Sequence, residues 1–159
     1  MENREIAEIF YEIANILEIK GENPFRIRSY RNAGLTIENL TLDLKTIIDR
    51  DESELEKIPN IGKSLHEKIV EIIKTGKCTF LEKLLKEIPS SLLELLKVQA
   101  LGPKKIQLLY TKLGIEDIDS LEKAARAGNL RDLSGMGEKT EKKIISAIES
   151  YKRSKGRFK

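Results

Sequence analysis

The chain has 159 residues, enough for one ordinary domain or two small ones, and it holds no apolar run of membrane-spanning length and no signal-peptide pattern, which reads as a soluble cytoplasmic protein without a membrane partner. A single cysteine, Cys78, excludes an internal disulfide and argues against a metal cluster, while an aromatic content of 5% with no tryptophan argues against a broad stacking platform for single strands. The net charge of +3 is modest, so local distribution matters more, and the basic residues gather in Arg26-Ile-Arg-Ser-Tyr-Arg31 and in the tail 151–159.

Helical periodicity runs through the whole sequence. Ile6, Ile9, Phe10, Ile13, Ile16 and Leu17 form one apolar stripe and predict a helix from Asn3 to Lys20, capped by Asn3 and ended by Gly21. Asn23-Pro24 opens a second helix carrying Phe25, Ile27, Tyr30, Ala33, Leu35, Ile37 and Leu40. Its polar side holds Arg26, Arg28 and Arg31, which read either as a phosphate-and-sugar site or as a solvated face. A short helix is expected around Leu44–Ile48, then an acidic turn, a helix from Ser64 to Thr75 stopped at Gly76, and another over Phe80–Lys86. After a boundary near Ile88-Pro-Ser-Ser91 come a helix ending at Leu96, one over Pro103–Leu113 ended by Gly114, one over Leu121–Ala127 capped by Ser120, and a last one over Glu138–Tyr151. Nothing alternates like a strand for long. The fold class is all-α, in two small helical subdomains, 1–88 and 89–159.

Three stretches repeat one another. Leu55-Glu-Lys-Ile-Pro-Asn-Ile-Gly-Lys-Ser, Leu96-Lys-Val-Gln-Ala-Leu-Gly-Pro-Lys-Lys and Leu133-Ser-Gly-Met-Gly-Glu-Lys-Thr each place an apolar residue, a small hairpin closed by Gly62, Gly102 or Gly137, and a lysine-bearing helix start. The closing glycines lie 40 and 35 residues apart. A glycine at that place permits backbone conformations that a side chain forbids and lets an anion approach the main chain. The helix start behind it offers unpaired N–H groups and the positive end of the helix dipole, where phosphate sits well. Lys63, Lys104 and Lys139 follow each glycine and add charge, and contacts of this kind hold a nucleic-acid backbone without reading its sequence. The plain alternative is an ordinary αα-hairpin.

With Ile19-Lys-Gly-Glu-Asn-Pro-Phe-Arg-Ile-Arg-Ser-Tyr-Arg-Asn-Ala33, Ile58-Pro-Asn-Ile-Gly-Lys-Ser-Leu-His-Glu-Lys-Ile69, Leu101-Gly-Pro-Lys-Lys105 and Leu133-Ser-Gly-Met-Gly-Glu-Lys-Thr140, the chain resembles, end to end, the N-terminal half of a bacterial-type family X DNA polymerase, the family of DNA polymerase beta. The resemblance implies a first subdomain of the 5′-deoxyribose-phosphate lyase type, with the first helix-hairpin-helix, and a second that grips duplex DNA with the other two. It implies gapped or nicked duplex DNA as the partner of a monomeric repair polymerase. The polymerase palm, with its Mg2+-binding carboxylates, is not in the sequence, so the chain reads as a region of a longer polymerase or as a stand-alone module.

The resemblance matches Lys68 to the family's Schiff-base lysine. Leu65, Ile69, Ile72 and Ile73 define the core face of its helix, and Lys68 lies roughly at a right angle to it, at ~100° per residue, either as a nucleophile at the core edge or as a lysine whose stem covers that edge. Tyr30 matches the family's phosphate-pocket tyrosine and Arg26 a pocket lysine, with Arg31 beside them. Two further pocket lysines are replaced by Glu56 and Ser64, a loss that Lys57 and Lys63 are placed to offset. Phe25 stands where the family stacks a ring on a template base, or else is a core aromatic beside Pro24. Asn60 and Ala100 replace the family's first hairpin glycine, while the third hairpin keeps both, Gly135 and Gly137. With Lys105 and Thr140 they complete the phosphate-binding set. Hairpin carbonyls in the family hold Na+ or K+, and the matching ones are those of Glu56, Ile58 and Ile61, and of Leu96, Val98 and Leu101. His66 is expected to face solvent and Cys78 to be a half-buried thiol. Two other readings stand beside this one: a non-catalytic helix-hairpin-helix DNA-binding module, and a helical scaffold that binds protein.

Overall fold

The computed structural model describes residues 1–156, and among them every regular element is helical, with no strand. The last three residues of the basic tail lie outside the described residues. The chain divides into two compact units, the first Met1–Glu87 and the second beginning at Ile88.

The first unit is built on α1 (Asn3–Ile19), whose Ile6, Phe10, Ile13, Ile16 and Leu17 are fully buried. Burying side chains of this size stabilises by about 1.5–3 kcal/mol each. The cap of α1 is Glu2, which exchanges hydrogen bonds with Glu5 in a capping box, and not Asn3. Asn3 is drawn inward instead: its Nδ2 donates to the Leu42 carbonyl at 3.0 Å and its Oδ1 accepts from the Leu44 amide at 2.9 Å. That pair of bonds fixes the start of α3 (Leu44–Asp51) against the start of α1. Packed on α1 is α2 (Pro24–Glu38), capped as expected by Asn23, whose side chain accepts from the Phe25 amide. The two helices meet at Gly34, where a Cβ would lie 2.5 Å from the Tyr11 ring. A 3-10 turn, Glu52–Lys57, leads into the first hairpin, followed by α4 (Lys63–Thr75) and α5 (Thr79–Leu85).

The second unit contains α6 (Ser90–Glu94) with a short 3-10 extension (Leu95–Lys97), then α7 (Pro103–Leu113), α8 (Ile118–Arg126) and α9 (Glu138–Gly156). Here too a cap differs from expectation. Asp117 caps α8, and Ser120 is its partner three residues on in a capping box. The last helix runs five residues past Tyr151, through much of the basic segment. Its lysines are occupied there: Lys152 pairs with Asp119 and Glu122, and Lys155 with Glu94.

The three hairpins share one backbone. In the first, Ile58 N–H donates to Leu55 O (3.1 Å), Ile61 N–H to Ile58 O (3.1 Å) and His66 N–H to Gly62 O (2.9 Å). In the second, the same bonds join Val98 to Leu95 (3.1 Å), Leu101 to Val98 (3.2 Å) and Ile106 to Gly102 (3.0 Å). In the third they join Leu133 to Leu130 (3.1 Å), Met136 to Leu133 (3.0 Å) and Glu141 to Gly137 (2.9 Å). Each middle bond closes a four-residue turn whose third residue is left-handed, the type II pattern: Asn60 (φ 71°), Ala100 (φ 80°) and Gly135 (φ 77°). The closing glycines Gly62 and Gly102 are extended, with φ −93° and −118°, so the backbone freedom expected of them is needed two residues earlier.

Four residues past each closing glycine, a side chain on the new helix reaches back to the segment before the hairpin. In the third hairpin this is Glu141, 2% exposed, which accepts from the Leu130 and Arg131 amides (3.0 and 3.2 Å) and pairs with the Arg131 guanidinium (2.8 Å). In the first it is His66, whose ring nitrogens lie 2.7 Å from Glu56 and 2.9 Å from Glu52, with the side chain only 13% exposed. The charges of the 56/66 pair are those of the 131/141 pair reversed. The second hairpin has the apolar Leu96 and Ile106 at these places. His66 is therefore clamped and does not face solvent, and Cys78 is buried, its thiol pushed up by desolvation.

Two consequences can be measured. Ala100 holds a conformation that costs an L-residue about 1–2 kcal/mol, so Ala100→Gly raises stability by about 1 kcal/mol in urea unfolding, and a loss contradicts the turn geometry. Hydrogen bonds to Glu52 and then Glu56 raise the His66 pKa above 6.5 against the opposing effect of desolvation. The clamp's contribution to stability is thus complete below pH 6.5 and fades as pH rises through the raised value. An NMR titration of His66 gives a midpoint above 6.5 that Glu52→Gln lowers; a wild-type midpoint at or below 6.5 contradicts the clamp.

Candidate nucleic-acid interface

The interface begins with the residues that close each hairpin. Gly62 and Gly102 are the N-caps of α4 and α7, and Gly137 directly precedes α9. A Cβ built on any of the three meets no heavy atom within 4 Å. Together with the extended φ of Gly62 and Gly102, this means that nothing inside the protein requires glycine there. A bare main chain faces outward, and the first-turn N–H groups behind it have no side-chain cap at Gly62 or Gly102. Those groups belong to Lys63, Ser64 and Leu65 in α4, and to Glu138, Lys139 and Thr140 in α9. In α7 they belong to Lys104 and Lys105, since Pro103 has no N–H.

Lys63, Lys104 and Lys139 are exposed beside these helix starts. Lys105 folds back, its Nζ donating to the carbonyl of the left-handed Ala100 at 3.3 Å, which reinforces the hairpin. Asn60 is held from outside its own hairpin, its Nδ2 donating to Thr36 Oγ1 of α2 at 2.9 Å.

A second cluster lies in the first unit. Tyr30 is 3% exposed, edge-on to Phe10 and stacked on Phe80 at 6.0 Å and 15°. Burial pushes its phenol up to about 12, against the lowering pull of Arg26. The Arg26 guanidinium lies 5.0 Å from the Phe80 ring centre, and the Lys68 ammonium lies 5.0 Å from Phe80 and 6.0 Å from Tyr30. Lys68 Nζ also donates to Ser64 Oγ at 3.1 Å. Half-buried at the core edge, Lys68 has its stem beside the core and its amine at the helix start that Gly62 caps.

The structure brings Arg26, Tyr30, Ser64 and Lys68 together; Arg31 it does not. Arg31 turns to α1 and is held by Asn15 (3.0 Å) and Glu18 (2.5 Å). Lys57 is paired with Glu54, and Glu56 with His66. Phe25 is 71% exposed with the Arg28 guanidinium 4.7 Å over its ring, so it is a surface ring and not a core aromatic. Phe80 was not among the sequence candidates, yet Arg26, Tyr30 and Lys68 all converge on it. Its place on a different helix gives it no spacing relation to them.

Two protein-family models match the chain. One described as a helix-hairpin-helix domain covers residues 1–78, and one described as a SAM-like helix-hairpin-helix tandem covers residues 92–150. Over 158 residues, 99% of this chain, the sequence is 35% identical to the DNA polymerase/3'-5' exonuclease PolX of Bacillus subtilis (strain 168), covering 27% of that protein. Over 132 residues, 79% of this chain, it is 33% identical to DNA polymerase lambda of Arabidopsis thaliana, covering 24% of that protein. The chain thus spans about a quarter of the length of the curated relatives it matches. The repeated hairpin geometry, the two domain matches and the end-to-end likeness to PolX agree: the chain belongs to the helix-hairpin-helix family, in the form carried by family X DNA polymerases.

Proposed function

We propose that the chain binds duplex DNA without sequence preference, through phosphates seated on the open helix starts behind Gly62, Gly102 and Gly137, and that its physiological target is gapped or nicked DNA. The carrying observation is the set of closing glycines that nothing in the protein requires: a side chain there is excluded by what approaches from outside. The relatives' names, both DNA polymerases, support the same partner. In this reading the chain serves as the gap-holding part of a family X repair polymerase and acts as a monomer. The exposed ring of Phe25 stacks on a base, and Arg31 contributes field rather than direct contact.

The first unit carries a candidate lyase centre. With its proton lost, Lys68 Nζ attacks the aldehyde carbon of a 5′-deoxyribose phosphate, and water leaves to form an imine. Removal of a C2′ proton then breaks the C3′–O bond, leaving the downstream strand with a 5′ phosphate, and water releases the sugar from Lys68. In this reading Arg26 and the first-turn N–H groups of α4 hold the phosphate, and Ser64, which accepts from Lys68 Nζ, orients the amine. Glu56 brings negative charge, and its contact with His66 offsets that charge near the pocket.

The hairpin carbonyls of Glu56, Ile58 and Ile61, and of Leu96, Val98 and Leu101, are donors suited to Na+ or K+. Ile58 O and Val98 O each accept one N–H and keep a second lone pair for a cation shared with the DNA phosphate. Among the described residues no group of three or more His, Cys, Asp or Glu side chains could hold a metal ion.

Serine is a good N-cap, so Gly62→Ser, Gly102→Ser and Gly137→Ser change stability by no more than about 0.5 kcal/mol while weakening DNA binding measured by fluorescence anisotropy. Unchanged binding in all three removes the helix-start reading. Borohydride trapping on a gapped duplex bearing a 5′-deoxyribose phosphate gives a covalent adduct that Lys68→Ala abolishes; binding with no adduct leaves a DNA-holding module without lyase chemistry.

A further inference from the structure

In the second unit each hairpin tip lies beside the helix that follows the other hairpin. Gln99 and Ala100, the tip of the second turn, share a groove of about 700 Å³ with Lys139, Lys142, Lys143 and Ser146 of α9. Ser134 and Gly135, the tip of the third turn, share a groove of about 800 Å³ with Lys104, Gln107, Leu108 and Thr111 of α7. The 35-residue repeat maps one groove on the other, Gln99 onto Ser134, Ala100 onto Gly135 and Lys104 onto Lys139. It also maps Gln107 onto Lys142, Leu108 onto Lys143 and Lys105 onto Thr140, so the α9 groove holds three lysines and the α7 groove two, of which Lys105 is folded back onto the Ala100 carbonyl.

We infer that the α9 groove is a track for a phosphodiester strand, distinct from the helix starts, with Lys142 and Lys143 as its contact residues, so that the second unit grips the two strands of a duplex unequally. The inference rests on the DNA-binding reading. The backbone of Lys142 and Lys143 stands about 8 Å along α9 from Gly137, and the groove continues past them to Ser150, well beyond the helix start. No carboxylate lines the groove. Two of the three acids of α9 are turned to other partners, Glu141 to Arg131 and Glu149 to Arg126. Lys139 and Lys143 have no ion-pair partner among the described residues. Lys142 pairs with Glu138 at 3.4 Å, both exposed, a contact worth about 0–1 kcal/mol that a phosphate readily replaces. The floor is small, Ser146, Ala147 and Ser150, so a sugar-phosphate backbone can lie close to the helix.

Each phosphate contact contributes about 0.9 to the slope of log affinity against log salt for duplex DNA. The test compares wild type, Lys142→Gln/Lys143→Gln, and Lys123→Gln, which removes an exposed lysine of α8 outside the groove. Salt titrations on a blunt fluorescent duplex should give a slope shallower by roughly 2 for the double variant and an unchanged slope for the control. A double variant whose slope equals the wild type's overturns the track while leaving DNA binding at the helix starts intact. A wild type that binds no duplex overturns the DNA-binding reading and the track with it.

Discussion

Every hairpin in this chain depends on one residue held left-handed. Asn60, Ala100 and Gly135 occupy the third place of the same turn, and the reversal they make turns the next helix so that its first N–H groups open outward behind a bare glycine. The turn is anchored from below by Leu55, Leu95 and Leu130, all fully buried, whose carbonyls accept the first bond of each hairpin. The constraint is strong enough for the second hairpin to hold an alanine in a conformation that disfavours it.

The segments before and after the first and third turns are tied by opposite means. His66 on α4 is held by Glu52 and Glu56, while Glu141 on α9 holds Arg131 and two amides. The second hairpin needs neither, because Ile106 is buried at the same place. The signs of the pH response differ accordingly. Hydrogen bonds raise the His66 pKa, so its clamp fades with alkali; Arg131 lowers that of Glu141, so its clamp is present above the usual carboxylate value and fades as pH falls through the lowered one. The two polar clamps also explain charges that look misplaced beside an anion site. Glu56, close to the first helix start, is held by His66 of α4 and fixes that start.

Much of this was legible in the sequence. The apolar stripe of α1, the Asn23-Pro24 opening of α2 and the limits of α7 follow from period and capping chemistry, and the repeat itself shows in the spacing of Gly62, Gly102 and Gly137. Misplaced caps have a local cause: Asn3 and Ser120 are both good capping residues, but Leu42 and Leu44 claim the first, and Asp117 lies three residues ahead of the second. The left-handed position is marked through the resemblance, where Asn60 and Ala100 stand for a glycine, an exchange that Asn tolerates well and Ala poorly. Pro59-Asn60 carries a type II signature, whereas Ala100 carries none of its own. Phe80, the Glu52–His66–Glu56 clamp and the Arg31–Glu18 pair join residues from different elements, and neither period nor local chemistry reports such meetings.

The central claim is that phosphate binds to main-chain N–H groups at three equivalent helix starts. Amide shift mapping by 15N NMR during titration with a blunt duplex tests it most directly. The account predicts that the amides of Lys63 and Ser64, Lys104 and Lys105, and Lys139 and Thr140 move together, as three sites on one ligand. Shifts that avoid these helix starts, or confine themselves to exposed side chains elsewhere, would contradict it.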